Sequence, residues 1–256
     1  GPSSHPRSDS QLTMPRHEGR NPDQLRPVTF HRNYARNAEG SVLVEVGNTR
    51  VICTASAVNG VPRWMRDSGK GWMTAEYAML PGSVTGRKRR ETLKKDGRSV
   101  EIQRLIGRAL RAVVDMEGFP GITLHVDCDV LQADGGTRCA SITGAMVAVH
   151  DAFQALAAKE KLSHWPLRDW VAAVSVGVVD ETVLLDLDYE EDFAAQVDMN
   201  IVATGKGKLI EVQGTAEGDP FSREILDQLV DSGLAGCAEL ANLQQDAVLE
   251  TQPAPS

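Results

Sequence analysis

The residues from Asp127 to Val149 combine a glycine pair with groups that could hold an anion. Gly135-Gly136 permits a tight turn and a close approach of the backbone to a ligand. Thr137 is a candidate N-cap for the helix that follows, so free N–H groups and the positive end of the helix dipole would face outward beside Arg138. The arrangement predicts a site for phosphate or another anion. The motif fits equally well a strand-to-helix turn with a surface arginine.

Two aspartates further along the chain form a second candidate site. Asp198 is predicted to enter a strand, and Asp192 precedes it by six residues. Two carboxylates brought together at the mouth of a strand can hold Mg²⁺, which prefers oxygen ligands. Alternatively, one carboxyl could keep a raised pKa beside the other and act as a general acid. On its own, the pattern favours a polar turn in which the carboxylates cap backbone groups.

Basic residues are concentrated in one part of a chain whose formal net charge is −8. Residues 61–111 hold 13 of the 27 Lys and Arg but only 5 of the 35 Asp and Glu. The predicted loop Thr85–Arg98 could neutralise phosphates of a nucleic acid, or it could be a solvated loop that keeps the protein soluble. Arg98 differs because it lies at a predicted helix start, where the dipole and the guanidinium both favour an anion. Three further arginines of the loop are Arg87, Arg89 and Arg90.

The spacing of apolar residues predicts an α/β protein with mixed sheets and packed helices, of the α+β kind, rather than a strictly alternating parallel fold. The predicted strands are 41–46, 49–58, 71–79, 122–126, 170–179, 182–188, 196–204 and 208–214. The predicted helices begin after Arg98, at Thr137 and at Ser222, and the second extends to about Leu162. Residues 14–36 contain five arginines and little periodicity, which predicts an extended arm on the surface.

The composition of the chain indicates its domain bounds and its compartment, and it argues against a membrane span and a zinc site. Residues 1–13 are polar and aperiodic, so we expect a tag or disordered extension there, a single domain over 14–250 and a disordered tail at 251–256. No apolar run approaches the roughly 20 residues of a membrane span, so no membrane partner is expected. The four cysteines are dispersed without a CxxC pair, which favours a reducing compartment and a cytoplasmic location. The scattered histidines give a zinc site little support.

Several stretches of the chain closely resemble the bacterial ribonuclease PH family, and they occur in the same order. The resemblance is nearly continuous from about Arg16 to about Leu240. The matching stretches are Arg26–Val28, Arg32–Tyr34, Ala38–Glu45, Gly71–Tyr77, Glu101–Ile106, Asp127–Arg138, Ala173–Gly177, Asp198–Asn200 and Glu211–Gly218. Two positions depart from the family pattern: Gly82 stands where several relatives have an arginine that helps to hold tRNA, and Cys139 replaces a common threonine.

The resemblance implies a fold, an assembly and a site. The fold would be the ribonuclease PH fold, which is ribosomal protein S5 domain 2-like, and the assembly a homohexamer built as a trimer of dimers. Inorganic phosphate would be the attacking co-substrate. The implied phosphate-binding residues are Arg98, Gly136, Thr137 and Arg138. The implied catalytic and metal-binding residues are Asp192 and Asp198, with Mg²⁺ or Mn²⁺ as the metal. The implied RNA-binding residues are Arg87, Arg89 and Arg90.

The activity implied by the resemblance is that of a phosphate-dependent 3′-to-5′ exoribonuclease, or tRNA nucleotidyltransferase. Such an enzyme trims the 3′ ends of tRNA precursors and other RNAs, releases nucleoside 5′-diphosphates and adds nucleotides in the reverse reaction. One alternative is a non-catalytic RNA-binding ring subunit of the same fold. Another is a metal-dependent nuclease in which water replaces phosphate as the nucleophile.

Overall fold

Two β-sheets and their packed helices are built from residues 15–92 and 94–250, which the computed structural model describes. The expectations for residues 1–13 and 251–256 lie outside this part of the chain. The strands of the first sheet are β1 (Val28–Arg32), β2 (Gly40–Val46), β3 (Thr49–Asn59), β4 (Trp72–Met79) and β5 (Ile122–Gln132). Their spatial order is β1-β2-β3-β5-β4, and only the contact of β4 with β5 is parallel.

The second sheet has four antiparallel strands. They are β6 (Val171–Val179), β7 (Thr182–Leu185), β8 (Val197–Thr204) and β9 (Leu209–Ala216), in the spatial order β7-β6-β8-β9. Strand β6 is buried along almost its whole length, whereas β9 at the edge is mostly exposed. The side chains of β9 therefore remain available to line a site at the edge of the sheet.

Four α-helices connect and cover the sheets in the described part of the chain. They are α1 (Gly97–Arg111), α2 (Thr137–Ala158), α3 (Tyr189–Ala194) and α4 (Arg223–Leu249). Asp96 caps α1 by accepting a hydrogen bond from the Ser99 N–H, and Ser222 caps α4 by accepting one from the Ile225 N–H. The apolar side chains of α1 face the first sheet and α2, and those of α4 face the second sheet.

Helix α2 lies between the two sheets and is buried on nearly all sides. It packs on β2 and β3 of the first sheet and on β6 of the second. Apart from a few polar residues such as Arg138, Asp151 and Gln154, its sequence is apolar or small, which is typical of a helix enclosed by protein. The approach to β2 is close, because a Cβ atom on Gly40 would overlap the carbonyl oxygen of Ala148. The first turn of α2 is thus held in a fixed relation to both sheets.

Most predicted elements are present, with shifted ends. The hairpin predicted at Gly47 is confirmed, since Val46 of β2 pairs with Thr49 of β3. Strand β5 continues to Gln132, well beyond its predicted end. Helix α2 ends at Ala158, so the predicted end near Leu162 is wrong. No helix among the described residues is both long and apolar enough to cross a bilayer.

The predicted extended surface arm over residues 14–36 is wrong. Residues Val28–Arg32 form β1, which pairs with β2. Four of the five arginines are buried, namely Arg16, Arg20, Arg26 and Arg32, while Arg36 is exposed. Ion pairs of the buried arginines attach the segment to the rest of the molecule together with core contacts of Leu25, and an ion pair leaves no periodic apolar pattern in the sequence. For example, Arg32 makes two hydrogen bonds of 2.9 and 2.7 Å to the Asp151 carboxylate.

Candidate active site

A cavity of about 620 Å³ lies beside the first turn of α2. Its lining comes from both sheets, from α1, α2 and α3, and from the loop after β4. The six residues implied as phosphate-binding or catalytic all line this one cavity: Arg98, Gly136, Thr137, Arg138, Asp192 and Asp198. The structure therefore brings together groups that are up to 100 residues apart in the sequence, with two guanidinium groups and two carboxylates in one space.

The glycine pair turns the chain from β5 into α2. Gly135 and Gly136 have φ angles of 79° and 69°, in the left-handed region that glycine adopts at little cost. A Cβ atom on Gly135 would lie 2.7 Å from the carbonyl oxygen of Leu187, so the loop has no room for a side chain there. The first N–H groups of α2 have no partner within the helix and lie at the positive end of its dipole, beside the cavity. The exposed N-terminus of a helix is a place where an anion can bind.

The prediction that Thr137 is the N-cap of α2 is wrong. Gly136 is the N-cap, without any side-chain cap, and Thr137 is the first helical residue. The Thr137 hydroxyl instead lies 3.0 Å from the hydroxyl of Tyr77, which is buried in β4. Burial raises the pKa of the Tyr77 phenol, so this phenol stays neutral. Tyr77 was not predicted as a site residue, although it ends one of the stretches that resemble ribonuclease PH.

Two arginines supply positive charge at the cavity. Arg138 Nη1 lies 3.4 Å from both Glu101 Oε1 and Gln213 Oε1, and Gln213 Nε2 donates to the same Glu101 oxygen at 3.1 Å. Arg98 is exposed, and its Nη1 lies 3.5 Å from the sulfur of Met79. Within the described part of the chain, both guanidinium groups make only long or weak contacts, which leaves several N–H donors for a ligand. Glu101 and Gln213 were not predicted as site residues.

The two aspartates face these arginines. Partial burial raises the pKa of Asp198, and the negative charges of Asp192 and Glu217 raise it further. Burial and Glu217 likewise raise the pKa of Asp192, while Arg138 and Arg98 act in the opposite direction. A raised pKa places a carboxyl group closer to the range in which it can donate a proton. Glu217 follows β9 and was not predicted, because a single acidic residue after a strand carries no distinctive pattern.

A buried arginine fixes the glycine loop from behind. Arg26 makes hydrogen bonds of 2.8 and 3.1 Å to the two carboxylate oxygens of Asp186. It also donates to the carbonyl oxygens of Asp134 at 2.6 Å and Gly135 at 3.3 Å. The Thr49 hydroxyl donates to the same Gly135 oxygen at 2.7 Å. These contacts fix the carbonyl groups of the loop on the side of Arg26 and Thr49, while Gly135 and Gly136 line the cavity.

Helix α3, which carries Asp192, is also held by buried arginines. Asp188 and Glu191 form a capping box at its start, with each side chain accepting a hydrogen bond from the other's backbone N–H. Glu191 Oε2 lies 2.7 Å from Arg16 Nε, and Glu191 Oε1 lies 3.2 Å from Arg20 Nη2. The segment before β1 therefore positions one of the two catalytic candidates. Sequence patterns gave no indication of this role, because the partners are more than 160 residues away.

Comparison with known protein families agrees with this geometry. The model of domain 1 of the ribonuclease PH, or 3′ exoribonuclease, family matches residues 24–153, and the model of domain 2 matches residues 169–236. The chain belongs to the 3′ exoribonuclease family. The domain 1 match contains the first sheet with α1 and most of α2, and the domain 2 match contains the second sheet and the first half of α4. The candidate site therefore takes residues from both family domains.

Solved structures confirm the predicted α/β ribonuclease PH fold. Rrp46 from rice (Oryza sativa) has 20% sequence identity and a TM-score of 0.73, over 90% of this chain and 99% of that chain. A chain of the Archaeoglobus fulgidus exosome with RNA bound to the active site has 24% sequence identity and a TM-score of 0.72. This match covers 88% of this chain and 91% of that chain. A chain of an archaeal exosome core has 23% sequence identity and a TM-score of 0.70, and the match covers 89% of this chain and 90% of that chain.

The basic loop of this family member begins at the rim of the cavity. Val84 and Thr85 line the cavity, whereas Arg87, Arg89 and Arg90 lie beyond the lining and are exposed. The three arginines are thus close in sequence to the cavity but do not contribute to its wall. Of the two departures from the family pattern, Gly82 is exposed in a short 3₁₀ helix, Pro81–Ser83, just before this loop. Cys139 is buried, with its sulfur 3.4 Å from Asn200 Oδ1, and burial raises its pKa.

The carboxylates of the site fit a hard divalent cation. Asp192 and Asp198 crowd negative charge in a partly desolvated place, and a bound cation would relieve that repulsion. Mg²⁺ is commonly held by one or two carboxylates together with water and substrate phosphates. Within the described residues no group of three or more His, Cys, Asp or Glu side chains is arranged to hold a metal ion. A cation here would therefore need oxygen ligands from water and substrate.

Proposed function

We propose that this protein is a phosphate-dependent 3′-to-5′ exoribonuclease that trims the 3′ ends of tRNA precursors and other RNAs. It releases nucleoside 5′-diphosphates and, in reverse, adds nucleotides from diphosphates. The observation that carries the proposal is the single cavity in which Arg98, Arg138 and the N-terminus of α2 face Asp192 and Asp198. Membership of the 3′ exoribonuclease family supports the same chemistry.

In the proposed reaction, the first-turn N–H groups of α2, Arg98 and Arg138 bind inorganic phosphate. One phosphate oxygen attacks the phosphorus of the last phosphodiester of RNA, and the bond from that phosphorus to the 3′ oxygen of the preceding nucleotide breaks. The products are a nucleoside diphosphate and an RNA shortened by one nucleotide. Positioning of the two phosphates and neutralisation of their charge provide most of the rate enhancement, because phosphoryl transfer needs little covalent help from the protein.

The departing 3′ oxygen needs a proton. Asp198 is the proposed donor because it lines the cavity and because partial burial, the largest influence on it, raises its pKa. Mg²⁺ or Mn²⁺ bound through Asp192 and Asp198 would supply electrostatic stabilisation of the reacting phosphate. Arg26 acts indirectly by fixing the Gly135 carbonyl, so that the N–H groups of the turn keep their direction toward the anion.

The proposed partners follow from the same reaction. RNA, especially the 3′ end of tRNA, is the substrate, and Arg87, Arg89 and Arg90 contact its phosphates beyond the cavity rim. The proposed assembly is a cytoplasmic homohexamer arranged as a trimer of dimers. The mass of the protein in solution, measured by light scattering, tests this assembly directly.

The proposed activity is tested by incubating 3′-extended tRNA and Mg²⁺ with and without phosphate and identifying the nucleotides released. Diphosphates that form only with phosphate support the proposal. Monophosphates would show hydrolysis instead, and intact RNA that stays bound would show a non-catalytic RNA-binding subunit. Arg138→Ala should lower the phosphate-dependent rate by about 100-fold, because it removes a donor to the reacting phosphate. Arg104→Ala, on the exposed side of α1, is the control and should keep the wild-type rate.

A further inference from the structure

An exposed aromatic pair adjoins the candidate active site. Tyr189 and Phe193 lie one turn apart on α3, with ring centroids 6.4 Å apart and planes inclined by 25°. Their side chains are among the most exposed large hydrophobic groups of the protein, with Tyr189 60% and Phe193 83% exposed. Tyr189 also lines the cavity, as does Asp192, which lies between the two aromatic residues in the sequence of α3. Exposing two adjacent rings to water is unfavourable unless a ligand covers them.

Several contacts fix the start of helix α3, which carries the aromatic pair. The capping box of Asp188 and Glu191 fixes the start of α3, and Arg16 holds Glu191 at 2.7 Å. The Tyr189 N–H donates to Asp134 Oδ1 at 3.3 Å, which ties the same residue to the turn beside the anion site. The backbone that carries the rings therefore keeps a set position relative to the place where phosphate would react. A ligand that binds both places loses little freedom to the protein's own rearrangement.

Charge on α3 indicates which part of a nucleotide fits there. Three consecutive acidic residues, Glu190, Glu191 and Asp192, follow Tyr189. Glu191 is neutralised by Arg16 and Arg20. The negative charge of Glu190, however, repels phosphate from the rings, whereas Arg98 and Arg138 attract phosphate within the cavity. A flat, uncharged group is the complement of the rings. A nucleobase has this character, and base stacking on aromatic side chains tolerates any base.

We infer that Tyr189 and Phe193 form a stacking surface for a nucleobase at the 3′ end of the RNA while its phosphates lie against Arg98 and Arg138. The inference rests on the proposed RNA substrate and adds a positioning role for two residues that the reaction chemistry does not need. Stacking would direct the 3′ end into the cavity without selecting a sequence. It would also favour unpaired 3′ ends, since a paired base is already stacked within a duplex.

Direct binding tests this inference independently of turnover. The probe is a short fluorescein-labelled single-stranded RNA, compared with the same RNA carrying abasic nucleotides at its last two positions, and affinity is measured by fluorescence anisotropy. Phe193→Ala should weaken binding of the normal RNA by about tenfold and leave binding of the abasic RNA unchanged. Phe193→Tyr should retain wild-type affinity because it keeps the ring. Leu249→Ala, at an equally exposed apolar position on α4, is the matched control and should bind both RNAs like the wild type.

The possible outcomes separate this inference from the proposed function. Equal binding of normal RNA by wild type and Phe193→Ala would overturn the stacking surface, even if the wild type releases diphosphates. Equal weakening of both RNAs would also overturn it, since the lost contact would not be to a base. Selective weakening of the normal RNA in a protein that shows no phosphate-dependent release would support stacking and reject the proposed reaction.

Discussion

Arginines occur in two regions of this protein with opposite surroundings. Arg16, Arg20 and Arg26 precede β1 and are buried against carboxylates and carbonyl groups, whereas Arg87 and Arg89 lie in an exposed loop. Both regions look alike in sequence, being basic, aperiodic and interrupted by glycine or proline. Their difference shows that the role of a guanidinium depends on the partners that the fold brings to it. The buried arginines position the site, and the exposed ones remain free to contact a ligand.

Geometry accounts for this division of roles. A buried guanidinium is stable only when hydrogen bonds replace the water that it loses, and its planar set of five donors suits this task. Arg16 illustrates the point, since it donates to Glu191 and to the carbonyl oxygens of Leu185 and Asp186. An exposed arginine in a loop keeps its water and binds a phosphate without that requirement.

The largest expected effect is on the free energy of unfolding, when Arg26 is replaced. Replacing it with alanine leaves the Asp186 carboxylate buried without its bidentate partner and releases the carbonyl groups of Asp134 and Gly135. We expect Arg26→Ala to lower the free energy of unfolding by about 3–5 kcal/mol, as measured by urea denaturation. Arg87→Ala is the control from the exposed loop and should change it by less than about 0.5 kcal/mol. Similar losses for the two variants would show that burial does not separate the two regions.

The next largest effect is on RNA affinity. The triple variant Arg87→Ala, Arg89→Ala, Arg90→Ala should keep the wild-type stability because the three side chains are exposed. Binding of single-stranded RNA should weaken by about tenfold or more at low salt, and the slope of log K against log salt should become shallower by about two. Fluorescence anisotropy over a series of KCl concentrations measures both quantities. An unchanged slope would mean that the loop does not contact phosphates.

A smaller, pH-dependent effect on the free energy of unfolding is expected when Arg16 is replaced. Burial alone would raise the pKa of Glu191, but hydrogen bonds from Arg16 and from the Asp188 backbone outweigh burial and lower it. A lowered carboxylate pKa contributes stability above the unfolded-state value of about 4.3, and this contribution disappears as pH falls through the folded-state value. Arg16→Ala should therefore destabilise the protein by about 2 kcal/mol at neutral pH and by less below about pH 4.

Urea denaturation at several pH values checks the Arg16 prediction. Part of the loss should persist in acid, because Arg16 also donates to the Leu185 and Asp186 carbonyl oxygens, which do not titrate. In a Glu191→Gln background the pH-dependent part should be absent. A loss from Arg16→Ala that stays constant down to acid pH would contradict the assigned ion pair.

Local patterns in the sequence were sufficient for β2 to β9, for α1, α2 and α4, and for the glycine turn before α2, but they missed β1 and the short helix α3. The resemblance to a family then indicated which cations and carboxylates share a cavity, as Arg98, Arg138, Asp192 and Asp198 do. The sequence did not reveal the buried arginines, because their partners are distant in the chain and no periodicity marks an ion pair. The N-cap was misassigned for a related reason. A threonine before a helix usually caps it, but here the hydroxyl of Thr137 contacts Tyr77 of another strand.

The smallest effect is expected when charge is kept and only geometry is changed. Lysine retains the positive charge but lacks the planar set of donors. The triple variant Arg87→Lys, Arg89→Lys, Arg90→Lys should keep both stability and the salt dependence of RNA binding, because counterion release depends on charge alone. Arg26→Lys should still lose more than about 1 kcal/mol, since one ammonium group cannot bind the Asp186 carboxylate bidentately and also hold the Asp134 and Gly135 carbonyl groups. A loop that tolerates lysine beside a buried site that does not would show that one region uses the charge of arginine and the other its shape.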